Sequence, residues 1–165
     1  MTQFIFDNVL GQEMAYINNV KNNNPSTSVI GVLALAFAGY EGDEVIRTKT
    51  TVADLLSGAT NEVTNTGYAR ITIGDSGLSA LAVDNTAHAV TADAADEQFG
   101  GGADIQAGDR FWKSVFYYDA NPATTTDADR ILLSCNDCDI TPNGAPITLN
   151  ITGFAKDEAK DEASA

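Results

Sequence analysis

Two cysteines and one histidine are the residues best suited to metal or redox chemistry. Cys135 and Cys138 form a C-x-x-C motif, and His88 is the only histidine. In a cytosolic protein this motif is typical of a zinc ligand pair or a redox pair. A structural zinc needs about four ligands, so a zinc site here would have to be shared between subunits. We expect two reduced thiols at a strand end or turn, and no metal or cofactor; a disulfide or a bound metal is the alternative.

Nucleophilic hydrolysis would have to use the same histidine. The segment DNTAHAVTAD around His88 contains no G-x-S-x-G nucleophile elbow. The segment GDSGLS at 74–79 resembles a serine-protease motif, but the chain is too short for that double barrel and the other triad segments are missing. We therefore expect no enzymatic activity, with His88 on the surface of a strand.

Aspartates cluster in two loops and offer the oxygen ligands that calcium prefers. The first group is Asp119, Asp127 and Asp129; the second lies around FGGGAD and comprises Asp93, Asp96 and Asp104. Neither matches the calcium-loop pattern D-x-[DN]-x-[DN]-G. We expect solvated turn aspartates, with calcium as the alternative.

The elements that position these residues are predicted to begin with a helix and a buried strand. Apolar residues recur every three or four positions from Asp7 to Val20, which predicts a helix capped by Asp7 or Asn8. Residues 29–39 are apolar on both faces of an extended chain, which predicts a central strand. A strand at 44–49 and a short helix capped by Thr51 and ended by Gly58 are predicted next.

The rest of the chain predicts further short strands separated by turn residues. We place them at 69–73, 78–84, 87–92, 111–118, 130–134 and 147–154. Five aromatic rings in FWKSVFYYD favour a central position, and the short helix cannot provide a parallel crossover. The prediction is a mainly β protein, an antiparallel β-sandwich or jelly roll with an N-terminal helix and one short helix. We expect an arm at 1–24, the sandwich at 25–155 and a charged tail, frayed or marginally helical, at 156–165.

Charge and hydropathy exclude several classes of partner. The 165 residues carry a net charge of −14, so a phosphate backbone would be repelled and nucleic acid is not an expected partner. Seven acidic residues and no Lys or Arg lie between Ile71 and Asp109, which predicts an acidic flank. The longest apolar run, VIGVLALAFAG, is about half the ~20 residues of a membrane span. With no visible signal peptide, we expect a soluble protein made in a cytoplasm.

Several segments together resemble a type of small virion protein encoded by tailed bacteriophages. The similarity extends over residues 29–155 and rests on T-x-A-x-L-L-x-G at 51–58, N-E-x-x-x-T-G-Y-A-R at 61–70, the aromatic strand ending in YYD at 111–119, the aspartate-rich loop at 127–129 and TPNG at 141–144. Such proteins are structural components of the head or tail. The resemblance implies no catalytic residue and no cofactor.

The resemblance leads us to expect a capsid decoration or cement protein that bridges capsid subunits. Its partners would be the major capsid protein or other virion proteins, and a homo-oligomer such as a trimer is expected. We predict Phe4, Ile5 and Phe6 as the contact surface, with the acidic flank facing solvent. The alternatives are a tail, neck or fibre protein, or a host-glycan-binding module. In that module Trp112, Tyr117 and Tyr118 would stack on sugars, although their alternation favours core packing.

Overall fold

The fold is built around one five-stranded antiparallel sheet. The computed structural model describes residues 3–84, 86, 89–151 and 154–158. The strands are β1 (Gln3–Ile5), β2 (Val29–Ala36), β3 (Ile71–Ile73), β4 (Ala82–Asp84), β5 (Ala89–Ala92), β6 (Glu97–Gln98), β7 (Phe111–Asp119), β8 (Ile131–Ile140), β9 (Thr148–Leu149) and β10 (Ala155–Glu158). The α-helices are α1 (Glu13–Lys21), α2 (Asp43–Ile46) and α3 (Val52–Leu55), and single 3₁₀ turns lie at Asp7–Val9, Asp75–Gly77 and Phe99–Gly102. The described chain is therefore mainly β, as predicted.

The two most apolar strands occupy the interior of the large sheet. Its strand order is β1-β8-β7-β2-β3, and all neighbours are antiparallel. Every residue from Ile30 to Ala36 is buried, and Trp112 is the only residue of β7 that is not. A strand buried on both faces must have cover on both sides of the sheet. The predictions of central strands in the 29–39 and 111–118 segments, and of antiparallel pairing, are confirmed, although the first strand ends at Ala36.

Two small sheets and α1 complete the described core. The small sheets have the orders β10-β5-β4 and β6-β9. Ile17 and Val20 of α1 are fully buried, and Phe116 of β7 stacks on Phe154 with ring centroids 4.7 Å apart. Burying one such side chain contributes about 1.5–3 kcal/mol. The charged tail begins in β10, which pairs with β5, so its first described residues are extended.

The predicted N-terminal helix is divided into two elements. A 3₁₀ turn at Asp7–Val9 is separated from α1 by Gly11, whose φ of 76° lies in the left-handed region that glycine tolerates best. Asp7 and Asn8 do not cap α1, which starts after Gln12. The Asp7 N–H donates instead to the Arg47 carbonyl, and the Asn8 side chain donates to the Thr50 carbonyl. Tertiary hydrogen bonds thus replace one continuous helix here.

The predicted strand at 44–49 is wrong, because this segment begins with α2. Gly42, with a φ of 96°, turns the chain before α2, and Asp43 and Glu44 place acidic side chains in its first turn. Carboxylates at a helix N-terminus are favourable because the exposed N–H groups there carry partial positive charge. Ile46 alone anchors α2 in the core. The alternating pattern that suggested a strand was too short to outweigh these local signals.

The other boundaries differ mainly in length. The Thr51 Oγ accepts a hydrogen bond from the Asp54 N–H at 3.2 Å, which confirms the cap of α3, but α3 ends three residues before Gly58. The predicted strand at 130–134 continues to Ile140, and the one at 147–154 is replaced by β9 and the separate β10. The strand predicted at 87–92 begins in the described chain at Ala89.

Candidate functional site

Three separate sequence segments meet in a cluster of ion pairs at one end of the large sheet. We call it the arginine network: Glu62, Arg70, Asp119, Asp127 and Arg130. Glu62 and Arg70 come from the loop between α3 and β3, Asp119 from the end of β7, and the other two from the loop before β8. All of them except Arg130 lie in the segments that carry the resemblance described above, and Arg130 directly follows one of these segments. The network therefore joins segments that were only separate patterns in the sequence.

The Arg70 guanidinium is at the centre of the network. It donates to both oxygens of Glu62 (2.8 and 2.5 Å) and to both oxygens of Asp127 (2.6 and 2.9 Å). Two bidentate contacts use the planar fork of arginine in a way that lysine cannot reproduce. Because Arg70 and Asp127 are 57 positions apart, this contact closes a long loop of chain.

A second arginine ties the same aspartate to the sheet. Arg130 donates to Asp127 at 2.6 Å and to Asp119 at 2.8 Å. Asp119 is 2% exposed at its side chain, and its other oxygen accepts from the Asn121 N–H at 3.0 Å and from the Thr125 hydroxyl. The loop between β7 and β8 is thus held at both ends by buried or half-buried charges.

The ring of Tyr117 forms the floor of the network. Both guanidinium carbons lie over it, Arg70 at 5.7 Å and Arg130 at 5.6 Å from its centroid. The ring lies across Gly31 of the neighbouring strand, where any Cβ would collide with it. A cation over a desolvated tyrosine ring adds a favourable contact on the order of 1 kcal/mol. Gly31 therefore leaves room for the Tyr117 ring, over which both arginines lie.

Charge pairing shifts the pKa values of Arg70, Asp127 and Arg130 in the direction that keeps each of them ionised. Hydrogen bonds from Arg70 and then from Arg130 hold the pKa of Asp127 below its ordinary value, although partial burial opposes this. Burial also works against the Arg70 cation, but Glu62 and Asp127 outweigh it and raise its pKa. The network therefore contains two arginine cations between carboxylates, and the low pKa of Asp127 makes that carboxylate a poor general base.

The first aspartate group is used for internal contacts. Asp119 and Asp127 face arginines, whose positive charge disfavours calcium, and Asp129 accepts hydrogen bonds from the Thr126 N–H and hydroxyl. In the second group, Asp93 accepts from the Ala94 N–H and Asp96 accepts from the Ile151 N–H. Both predicted aspartate groups therefore act largely as turn and loop contacts.

The two cysteines lie within β8, not at its end. Both thiols are free; Cys135 is buried and Cys138 is half-buried. Residues three apart in a strand lie about 10 Å apart and face opposite sides, so a disulfide between them does not fit. Burial raises the pKa of Cys135, and it raises the pKa of Cys138 to about 12. His88 lies outside the described residues, so the structure does not place it relative to these thiols.

The predicted N-terminal contact surface is largely part of this chain's own core. Phe4 is 6% exposed and Phe6 is fully buried, with their rings packed edge to face at 5.3 Å. Ile5 is half-buried, and β1 pairs with β8 through all three of its residues. The Phe4 and Phe6 side chains are therefore not available to a partner, because the fold itself buries them.

An aromatic cluster is exposed where β2 ends and β7 begins. We call it the Phe37 patch: Phe37, Tyr40, Arg110 and Trp112. Phe37 is 50% exposed, and its ring meets Trp112 edge to face at 5.0 Å. The sequence placed Phe37 in a strand buried on both faces, but β2 stops at Ala36 and the chain turns at Gly39, whose φ is 83°. The sequence signal that could have identified this patch is a large apolar side chain just beyond the end of a strand.

A groove of about 290 Å³ lies beside β8 and is lined by Cys138 but not by Cys135. It is lined by Ser114, Phe116, Asn136, Cys138 and residues 148–151, among others. The described lining contains no histidine and no basic side chain. We find no arrangement of nucleophile and base in it.

Comparisons of the chain with protein-family models, curated proteins and solved structures give no match. Among the described residues, no group of three or more His, Cys, Asp or Glu side chains is placed to hold a metal ion. No helix in that part of the chain has the length and apolar character needed to cross a bilayer.

Proposed function

We propose that this protein is a structural component of a tailed-bacteriophage virion, most specifically a decoration or cement protein that stabilises the head by bridging capsid subunits. The observation that supports this best is the arginine network, in which the residues of the resemblance hold loops together. The charged side chains of the network form ion pairs and turn contacts within the chain. This use of charge is what we expect of a protein that contributes shape and surface to an assembly. The proposal includes no catalytic residue and no cofactor.

The finer architecture belongs to the same proposal. We infer that the large sheet and the two small sheets pack as a β-sandwich of the jelly-roll kind. A compact sandwich with exposed strand edges suits a protein that bridges neighbours, because binding to the assembled shell adds its free energy to that shell. The partners are the major capsid protein or other virion proteins, and a homo-oligomer such as a trimer forms through free edges.

Location on the particle tests the proposal. We expect a specific antibody to label the head of intact particles in electron micrographs, with copy numbers on the order of hundreds, as repeated capsid symmetry requires. Labelling of the tail, with about a dozen copies or fewer, would support the tail, neck or fibre alternative. Absence from mature particles would refute the whole proposal.

A host-glycan-binding module is the second candidate, and the partly exposed Trp112 favours it. Tyr117 and Tyr118 are 4% and 8% exposed, so these rings pack in the core, as their alternation predicted. Only Trp112 of the three predicted sugar-stacking rings reaches the surface, as part of the Phe37 patch. A shift in tryptophan fluorescence on adding host surface glycans would support this candidate.

A further inference from the structure

We propose that the Phe37 patch is the surface by which this protein docks, and that its partner is a protein surface with an apolar pocket rimmed by basic side chains. This rests on the proposed function, because it names the contact through which a virion protein would be held. It also replaces the buried Phe4 and Phe6 as the contact surface.

Exposure is the first observation that supports this proposal. Only Leu10, Phe37 and Val45 are large hydrophobic residues with exposed side chains in the described chain, and Phe37 is the aromatic one. It projects beside the partly exposed Trp112, so the two rings form a joined apolar surface. Aromatic residues and arginine are enriched at the centres of protein interfaces, where they contribute most of the binding free energy.

The patch is also held rigid before any partner binds. The Phe37 N–H donates to the Arg110 carbonyl at 2.9 Å, which fixes the backbone beside the ring. The Arg110 guanidinium lies 4.9 Å from the Phe37 ring centroid and 5.3 Å from that of Trp112. Tyr40 packs against the other side of the cluster, 6.5 Å from Trp112. Because these side chains are already ordered, binding costs less conformational entropy.

The charges around the patch indicate the chemistry of the partner. Arg110 is paired with Asp139, whose side chain is 51% exposed, and the buried Lys113 is paired with Asp43 and Asp137. The cations are therefore neutralised within the chain, while the aspartates keep exposed oxygens and the whole chain carries −14. A basic rim on the partner complements this surface, whereas the same acidic patch on a second copy of the chain would be repelled from it.

The packing around Trp112 favours a protein partner over a sugar. Its surroundings are occupied by Phe37, Tyr40, Arg110 and Lys113, all within 6.5 Å of the ring centroid. A sugar needs an open, flat aromatic face on which to stack. The ring with the largest exposed fraction is instead Phe37, and a half-exposed apolar side chain of this kind suits an apolar pocket on a protein partner.

The test compares Phe37→Ser with Leu10→Ser in particles made by a phage that lacks its own copy of the gene. Leu10 is 60% exposed and lies outside the patch, so it is a matched control for the loss of an exposed apolar side chain. We expect at least about a tenfold loss of incorporation for Phe37→Ser, the loss typical of a central interface residue, and none for Leu10→Ser. Equal incorporation of both variants would overturn the proposal.

Two further measurements keep the outcomes distinguishable. If Phe37→Ser fails to fold, a photo-crosslinking amino acid at position 37 must join the protein to another virion protein while the same group at position 10 does not; the reverse pattern overturns the proposal. Rebinding of purified protein to particles that lack it should weaken as salt is raised, and salt-independent rebinding would contradict the basic rim. Absence of the wild-type protein from particles would refute the proposed function, and the docking surface with it.

Discussion

At the scale of single residues, the arginine network shows how few charges organise the fold. The chain contains only nine Lys and Arg residues against 23 acidic residues. Arg70 and Arg130 are two of these nine, and both are largely buried among carboxylates. Removing one partner from such a cluster leaves an uncompensated charge, which costs far more than the loss of an exposed ion pair.

This difference can be measured with one chemical change at two positions. Glu62→Gln removes the charge that faces Arg70 inside the network, whereas Glu44→Gln removes an 87% exposed carboxylate 4.0 Å from Arg47. We expect Glu62→Gln to lower the free energy of unfolding by about 2–4 kcal/mol and Glu44→Gln by at most about 0.5 kcal/mol. Urea unfolding of both variants checks this. Equal effects would mean that the network does not stabilise the fold.

Acid should weaken the network through Asp127. Its pKa is held low by Arg70 and Arg130 in the folded state. A carboxylate with a depressed folded pKa stabilises the protein above its unfolded pKa of about 3.9, and this contribution is lost as the pH falls through the folded pKa. We expect Asp127→Asn to be less stable than wild type at pH 6, with the difference shrinking as the pH falls below the unfolded pKa of about 3.9. A constant difference down to pH 2 would contradict the assignment.

The thiols give a residue-scale prediction about reactivity. Burial raises the pKa of both cysteines, so little thiolate forms near neutral pH. We expect both to react slowly with an aromatic disulfide reagent at pH 8 in the native protein, and rapidly in urea. Fast reaction of two thiols in the native state would show that β8 opens or that this part of the fold differs.

At the scale of elements, the contact between β2 and β7 supports the network from below. The Tyr117 ring crosses Gly31, and its face holds both arginines. A side chain at position 31 would displace this ring, because a Cβ has no space there. The arginine network therefore requires a glycine at position 31 of the central strand β2.

Substituting alanine at two glycines distinguishes the space that Gly31 leaves for the Tyr117 ring from the general effect of replacing any glycine. A Cβ at Gly31 meets the Tyr117 ring, whereas a Cβ at Gly74, whose φ is −89°, meets nothing within 4 Å. We expect Gly31→Ala to destabilise the protein by about 1–3 kcal/mol through overpacking, and Gly74→Ala to change its stability by less than about 1 kcal/mol. Thermal unfolding of both variants measures this. A neutral Gly31→Ala would show that the ring can move without cost.

Sequence patterns predicted the interior strands well and the site poorly. The 29–39 and 111–118 segments are apolar on both faces, a signal that depends only on near neighbours in the chain. The contact between Arg70 and Asp127 joins positions 57 apart, and no local pattern contains that pairing. The stretch 61–70 is rich in turn-forming residues such as Asn61, Asn65 and Gly67, and the sequence alone shows no distant partner for its Arg70. The apolar pattern continues through Phe37 and so predicts a buried side chain there. The strand ends at Ala36 because the chain turns at Gly39, which the apolar pattern does not show.

At the scale of the whole molecule, the arm and the sheet belong to one unit. Phe4 and Phe6 are part of the core, and the Lys113 charge cluster brings together α2, β7 and β8. Deleting residues 1–24 would remove an edge strand together with buried aromatic rings. Loss of incorporation by such a deletion would therefore report on folding as much as on docking, whereas a change at Phe37 alters a half-exposed side chain outside the buried core.

We propose that this protein contributes surface and shape to an assembled particle. Quantitative mass spectrometry of gradient-purified, mature particles tests it most directly, with the major capsid protein as the internal reference. We predict that the chain is present in a fixed ratio to that protein in every preparation, and that this ratio falls when Phe37 is changed to Ser. Particles that are infectious and contain none of it would contradict the account.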